Sequence, residues 1–269
     1  MEGTGLQLAF KVSETVRDKY KGKIKETATV DELFKFHTEN HGRFLSWERC
    51  FKFFKENEKV FLSKNQEGLQ DLYRQAELEL AFYLASFGML RGRSVLLSKD
   101  SSVYGDLIKK LFEAKKRFEA KKDSQLNSVL YKVCDDWINE LKKKEGRKSN
   151  GDNDTLTTKI LMGVFGCVPA FDKFFKFGLN LAKQADCRFE KLNTDSTDVD
   201  KWVTESNSSG FVPKELANEF LKLNFHFHAP YDENEQYPLM RKIDIYFWFI
   251  GFCNSESKKN KKKSNTVNQ

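Results

Sequence analysis

Residues 155–179 read TLTTKILMGVFGCVPAFDKFFKFGL, two apolar runs at helical spacing broken by Gly163, Gly166 and Pro169. The pattern predicts two helices around a glycine-containing hairpin, with Pro169 placed to start the second. Such a hairpin, with a small residue four positions after a glycine, can turn backbone N–H groups toward a phosphate, and the following helix dipole adds attraction. Gly166 and Ala170 have that spacing, Gly163 and Val164 precede them, and Lys173 adds a cation beyond. A second reading of the same residues stays open: two core helices whose glycines only permit a tight turn.

Outward from this stretch the chain reads as helical. It has 269 residues but only 4 Pro and 15 Gly, too few turn residues for a sandwich or barrel. Apolar residues recur at helical spacing through Phe44, Trp47, Phe51 and Phe54, and again from Leu69 through Leu80 to Phe87. Residues 102–122 are Lys-rich, with Leu107, Leu111 and Phe118 on one side, and predict a solvated surface helix. Another helix runs through Val129, Leu130, Val133 and Trp137. Residues 142–154, KKKEGRKSNGDND, contain no apolar side chain and predict a linker between two lobes. The expectation is an all-α, two-lobed fold: an N-terminal helical lobe over 1–145, a hairpin lobe over 155–253, and a Lys-rich tail over 254–269. Residues 186–210 read as irregular, with a short helix around Trp202. A helix starting at Pro213 buries Leu216, Phe220 and Leu223.

Composition limits the function classes. Hydrophobic residues make up 39% of the chain, enough for a core, and 25 Phe, 8 Tyr and 4 Trp build that core from rings. The longest apolar run, 245–253, falls well short of the roughly 20 residues that span a bilayer, and no signal pattern opens the chain, so a cytoplasmic protein with no membrane contact is expected. The five cysteines are odd in number and widely spaced, so neither a disulfide framework nor a zinc ribbon fits, and they read as reduced and mostly buried. Of the net charge of +7, Lys258, Lys259, Lys261, Lys262 and Lys263 against Glu256 contribute +4, leaving a mildly basic body. The lysine tail reads as a solvated end or as a nonspecific phosphate-seeking arm.

The last apolar element, MRKIDIYFWFIGF over 240–252, contains one acid, Asp244. An unpaired buried carboxylate is costly, so Asp244 is a helix cap, a working acid, or the ion-pair partner of Arg241 or another cation. Arg91 and Arg93, set among glycines after a buried helix, either cap backbone groups or reach a phosphate or base edge. Trp248, one helical turn after Asp244, is core or a platform for an extruded base. His37-x-x-x-His41 and His226-x-His228 lack partners of metal-site type, so no metal is expected. No Walker loop, dinucleotide fingerprint, nucleophile elbow or kinase motif set is present.

Leu161-Met162-Gly163-Val164-Phe165-Gly166, with Ala170 beyond, resembles the helix-hairpin-helix signature of the base-excision DNA glycosylases, with one extra residue between the glycines. Lys242-Ile243-Asp244-Ile245-Tyr246-Phe247-Trp248 resembles the segment in which that superfamily carries its catalytic aspartate. The likeness is confined to about 155–181 and 238–251. More than seventy residues separate Ala170 from Asp244, which makes about 182–237 an insertion relative to the family.

The resemblance implies a protein that bends double-stranded DNA, holds its backbone at the hairpin and flips one nucleotide into a pocket. Asp244 would then stabilise the oxocarbenium-like sugar as a modified or damaged base leaves, giving an abasic site. A phage-modified base, and so a defence role, is one hypothesis for the substrate. Val168 stands where bifunctional members have their Schiff-base lysine, so a monofunctional enzyme is expected, with Lys159 and Lys173 the nearby amines. Only Cys253 lies near the end, so no iron–sulfur cluster is expected. The expected enzyme is a monomer needing neither metal nor diffusible cofactor. The alternatives are a noncatalytic helical DNA- or RNA-binding protein and a helical interaction module without a nucleic-acid partner.

Overall fold

The computed structural model describes residues 10–11, 17, 25–39, 42–63, 69–119, 125–147, 153–190, 192, 212 and 214–255. His41, Trp202, Pro213 and the lysines of the tail lie outside the described residues. Nine α-helices are found among those described: α1 (Val30–Glu39), α2 (Phe44–Phe61), α3 (Leu69–Ser86), α4 (Tyr104–Glu119), α5 (Leu126–Lys144), α6 (Asp154–Val164), α7 (Lys173–Ala185), α8 (Lys214–Leu221) and α9 (Leu239–Cys253). Two 3-10 turns, Ser101–Val103 and Cys187–Phe189, join them. The antiparallel strands are two residues each, β1 (Phe10–Lys11) and β2 (Thr27–Ala28), with Phe10 opposite Ala28. The fold is all-α.

Local chemistry sets the helix ends. At α1 the Thr29 hydroxyl accepts from the Glu32 amide, while the Glu32 carboxylate accepts from the Thr29 amide, a reciprocal capping box. Helix α3 ends where Gly88 takes φ +73° and the Met89 amide donates back to the Leu84 carbonyl at 2.8 Å. Helix α5 ends the same way at Gly146, φ +67°, with the Arg147 amide on the Lys142 carbonyl at 2.9 Å.

Helix α9 is the axis of the core. Every one of its residues is buried, including Arg241, Lys242 and Asp244. Its neighbour α7 approaches backbone to backbone: a Cβ on Gly178 would lie 1.9 Å from the Phe247 carbonyl oxygen, and one on Gly251 1.9 Å from that of Phe174. Phe171, Phe175, Phe189 and Phe220 close around this contact, each removing about 1.5–3 kcal/mol worth of apolar surface from water. The buried Lys242 ammonium is satisfied by the Leu221 and Leu223 carbonyls at 2.7 Å and by Gln236 Oε1 at 2.6 Å.

Two expectations need revision. Helix α4 is not merely a solvated surface element: Ile108 and Phe112 join Leu107 and Leu111 in a wide buried face, and the lysines between them make it look more polar than it is. The polar stretch after α5 does not separate two cores. Buried side chains from Ala28 to Cys253 form one contiguous cluster, bridged where Trp47 Nε1 on α2 donates to the Met162 carbonyl on α6 at 2.9 Å.

Candidate functional site

The turn from α6 to α7, residues 165–172, folds inward. Gly166 takes φ +61° and its amide donates to the Leu161 and Met162 carbonyls at 3.1 and 3.2 Å, so it terminates α6. The Phe171 amide donates to Thr158 Oγ1 at 2.9 Å. Helix α7 starts at Lys173 and not at Pro169, because the Asp172 side chain is its N-cap and accepts the Phe174 and Phe175 amides at 3.0 Å. Gly163 lies inside α6, where a Cβ would meet the Tyr83 ring at 2.5 Å, and its role is to let α6 approach α3. Gly163, Val164, Gly166 and Ala170 are all buried. The expectation that these four present amides to a phosphate is therefore corrected. The amides of Gly166 and Ala170 are spent inside the protein, the other two residues are covered, and the Asp172 carboxylate already occupies the helix N-terminus.

Asp244 is brought to this turn across 74 residues of sequence. Its Oδ1 accepts the Ala170 amide at 3.0 Å, and its Oδ2 pairs with Arg241 Nη1 at 2.5 Å. It lies in the second turn of α9, after an N-cap at Pro238, so the cap reading falls and the ion pair with Arg241 is what forms. Burial pushes the Asp244 carboxyl above the usual carboxylate range, against the pull of Arg241 and Lys159. Arg241 lies against the rings of Trp47 at 4.6 Å, Phe44 at 5.4 Å and Phe87 at 5.6 Å, and its Nε and Nη2 have no hydrogen-bond partner among the described residues. Beside it Lys159 pairs with Asp172 at 3.1 Å and sits 4.9 Å over Phe87. Two cations and the Asp244 carboxylate are thus buried among aromatic rings, with the Asp172 side chain partly exposed beside them.

The other candidate residues divide into buried and exposed. Trp248 is 6% exposed, stacked on Phe252 at 4.8 Å, with the Arg43 guanidinium 4.8 Å over its ring. It is a core ring whose outer face is already covered. Lys173 is exposed, 4.6 Å over Phe174. Arg91 and Arg93 are exposed on the loop after α3, which turns through Gly88 and Gly92 with positive φ. This loop meets the end of α5: Arg147 Nη1 donates to the Arg93 carbonyl at 2.8 Å, and Lys99 pairs with Glu145 at 3.0 Å. Arg91, Arg93, Lys143, Lys144 and Arg147 are exposed together at this corner, against the acids Asp100 and Glu145.

A second polar cluster was missed in the sequence. Glu48, 1% exposed on α2, accepts the His228 ring Nδ1 at 2.7 Å and its backbone amide at 3.0 Å, and the Tyr237 hydroxyl closes on the same carboxylate. The available signal was positional: Glu48 stands four residues after Phe44 and three before Phe51, on the apolar face of α2. His228 lines a cavity of about 490 Å³ together with Asp31, Glu32, Asn224, His226 and Glu233. A cavity of about 440 Å³ lies on the other side of Glu48, beside the bidentate Arg49–Glu79 pair at 2.8 Å. Neither cavity is lined by Asp244, and no group of three His, Cys, Asp or Glu side chains among the described residues is set to hold a metal ion. No described helix is long and apolar enough to cross a membrane.

Comparison of the chain with protein-family models, with curated proteins and with solved structures finds no match.

Proposed function

We propose that this chain is a helical nucleic-acid-binding protein that engages the phosphate backbone of double-stranded DNA through the corner formed by residues 88–100 and the end of α5. The observation that carries the reading is the set of five exposed cations on the loop after α3 and at the end of α5, Arg91, Arg93, Lys143, Lys144 and Arg147, of which Arg147 also pairs with Glu145 at 2.8 Å. The hydrogen bond from Arg147 to the Arg93 carbonyl and the Lys99–Glu145 pair tie the loop after α3 to the end of α5, which brings the two cation-bearing segments side by side. Such a patch neutralises phosphates without reading bases. Fluorescence anisotropy of a labelled duplex tests it: Arg91→Gln/Arg93→Gln should weaken binding to unrelated sequences alike, while leaving the fold intact. Unchanged affinity in the folded variant removes the corner from the interface.

Base excision at Asp244 is the second reading, and the hydrogen bond between Asp244 and the Ala170 amide favours it, since it joins the two segments that resemble a glycosylase. It requires the Asp244–Arg241 pair to open onto a flipped nucleotide, because the carboxylate is sealed when unliganded. Incubation with a panel of damaged and phage-modified duplexes, followed by alkali, reads the abasic product. A release abolished in folded Asp244→Asn supports this chemistry, and no release from any duplex leaves binding alone.

A further inference from the structure

Arg241 gives Asp244 only one corner of its guanidinium, Nη1. The other edge, Nε with Nη2, has no hydrogen-bond partner among the described residues, although the side chain is 1% exposed. Those two N–H groups point the same way, and their spacing matches the two oxygens of one carboxylate. The Trp47, Phe44 and Phe87 rings around Arg241 balance its charge but are weak acceptors for its N–H groups. The Tyr83 hydroxyl, on a fully buried ring, also lacks a partner among the described residues. Burial pushes that phenol well above its usual range, against the pull of the Arg241 charge, so it stays protonated and is a donor. Three buried donors in one charge cluster ask for an acceptor, because leaving a buried N–H or O–H unpaired costs more than a made hydrogen bond returns.

We propose that the open edge of Arg241 and the Tyr83 hydroxyl form an internal binding site for the carboxylate of a small organic acid, whose two oxygens accept from the guanidinium fork and the phenol. Charge selects that class. Arg241 and Lys159 face Asp244 and Asp172, and burial already favours the protonated form of Asp244, so the cluster takes one added negative charge more readily than the two of a phosphate monoester. Entry passes Phe87, which stands just beyond α3 and is 7% exposed. The buried Lys159 and Arg241 lie 4.9 and 5.6 Å from that ring, and the guanidinium of the exposed Arg43 lies 5.3 Å from it. One ring therefore separates the buried cations from a cation at the surface, and its turning aside admits the anion. The site uses neither the cations at Arg91 and Arg93 nor the Asp244 oxygens, so it stands apart from both readings of DNA binding.

The test uses the full chain labelled with ¹⁵N and ¹³C at arginine, so that the Arg241 Nε–H resonance can be followed by itself. Acetate is the probe, chloride at equal ionic strength is the control, and inorganic phosphate at pH 8 is the dianion. Acetate should move the Arg241 resonance saturably, chloride should leave it in place, and phosphate should bind at least about tenfold more weakly than acetate. Tyr83→Phe keeps the ring and removes a hydroxyl without a protein partner, so its thermal midpoint in chloride should equal that of the wild type. The same variant should weaken acetate at least about tenfold, because it removes one hydrogen bond to a charged group. Arg91→Gln/Arg93→Gln should bind acetate normally, which separates this site from the DNA interface. An Arg241 resonance that acetate does not move, phosphate binding as tightly as acetate, or Tyr83→Phe binding acetate as the wild type does would each overturn the assignment.

Discussion

Asp244 shows how one residue can be legible in its oddity and illegible in its role. A lone acid in an apolar helix had to be compensated, and Arg241 was among the partners the sequence allowed; that the Ala170 amide shares the carboxylate could not be read, because it depends on the turn folding inward. Removing the acceptor altogether in Asp244→Ala strands both the Ala170 amide and Arg241, and should cost about 3–5 kcal/mol in denaturant unfolding. Asp244→Asn keeps an oxygen for the amide and should cost clearly less. Burial raises the folded-state pKa of Asp244 above its ordinary 3.8, so the fold favours the protonated acid. Relative to the Asn variant, the wild type should therefore gain stability as pH falls through the raised value. That gain is complete below about 3.8 and lost as pH rises again; a difference that moves the other way would mean Arg241 dominates. The cysteines offer a simpler check. Cys50, Cys134, Cys167 and Cys253 are buried, with the Cys167 and Cys253 thiols pushed up to about 12, whereas Cys187 is exposed. A thiol reagent on the native protein should label Cys187 first, and modification of a second thiol at the same rate would contradict this packing.

At the scale of elements, helical periodicity found α2, α3 and α5 because their apolar residues fall on one face, whereas α9, apolar on every face, has no such period and was legible only as a buried apolar element. Periodicity underrated α4, where lysines alternate with buried Ile108 and Phe112. The glycines of the central stretch were visible but ambiguous, since a glycine that admits a phosphate and one that admits a neighbouring helix look alike in sequence. Gly163 and Gly166 prove to be of the second kind, against Tyr83 and Phe51. The same logic makes Gly178 and Gly251 the tightest points of the fold. Alanine at either puts a methyl group into backbone of the facing helix, so Gly178→Ala and Gly251→Ala should each cost about 3 kcal/mol or more. Gly146→Ala, at φ +67° but in open space, should cost only roughly 1–2 kcal/mol. Thermal unfolding ranks the three, and equal losses would mean that α7 and α9 have room to separate.

For the molecule as a whole, the net charge of +7 is concentrated in the tail, and the mildly basic body gave no sign in sequence of where its cations gather. The lysine-rich tail drew attention in the sequence, while the corner at Arg91, Arg93 and Arg147 needed the fold to bring residues 91–93 beside residue 147. Glu48 and His228, 180 residues apart, were equally invisible as a pair. If the corner holds phosphates, each cation it contributes displaces counterions, and the salt dependence of binding counts them. The direct measurement is duplex affinity as a function of salt for the wild type and for Arg91→Gln/Arg93→Gln/Lys143→Gln. The log–log slope should become shallower by up to about 0.9 for each phosphate contact removed, at every duplex sequence. A folded triple variant with the wild-type slope would contradict the placement of the nucleic-acid interface at this corner.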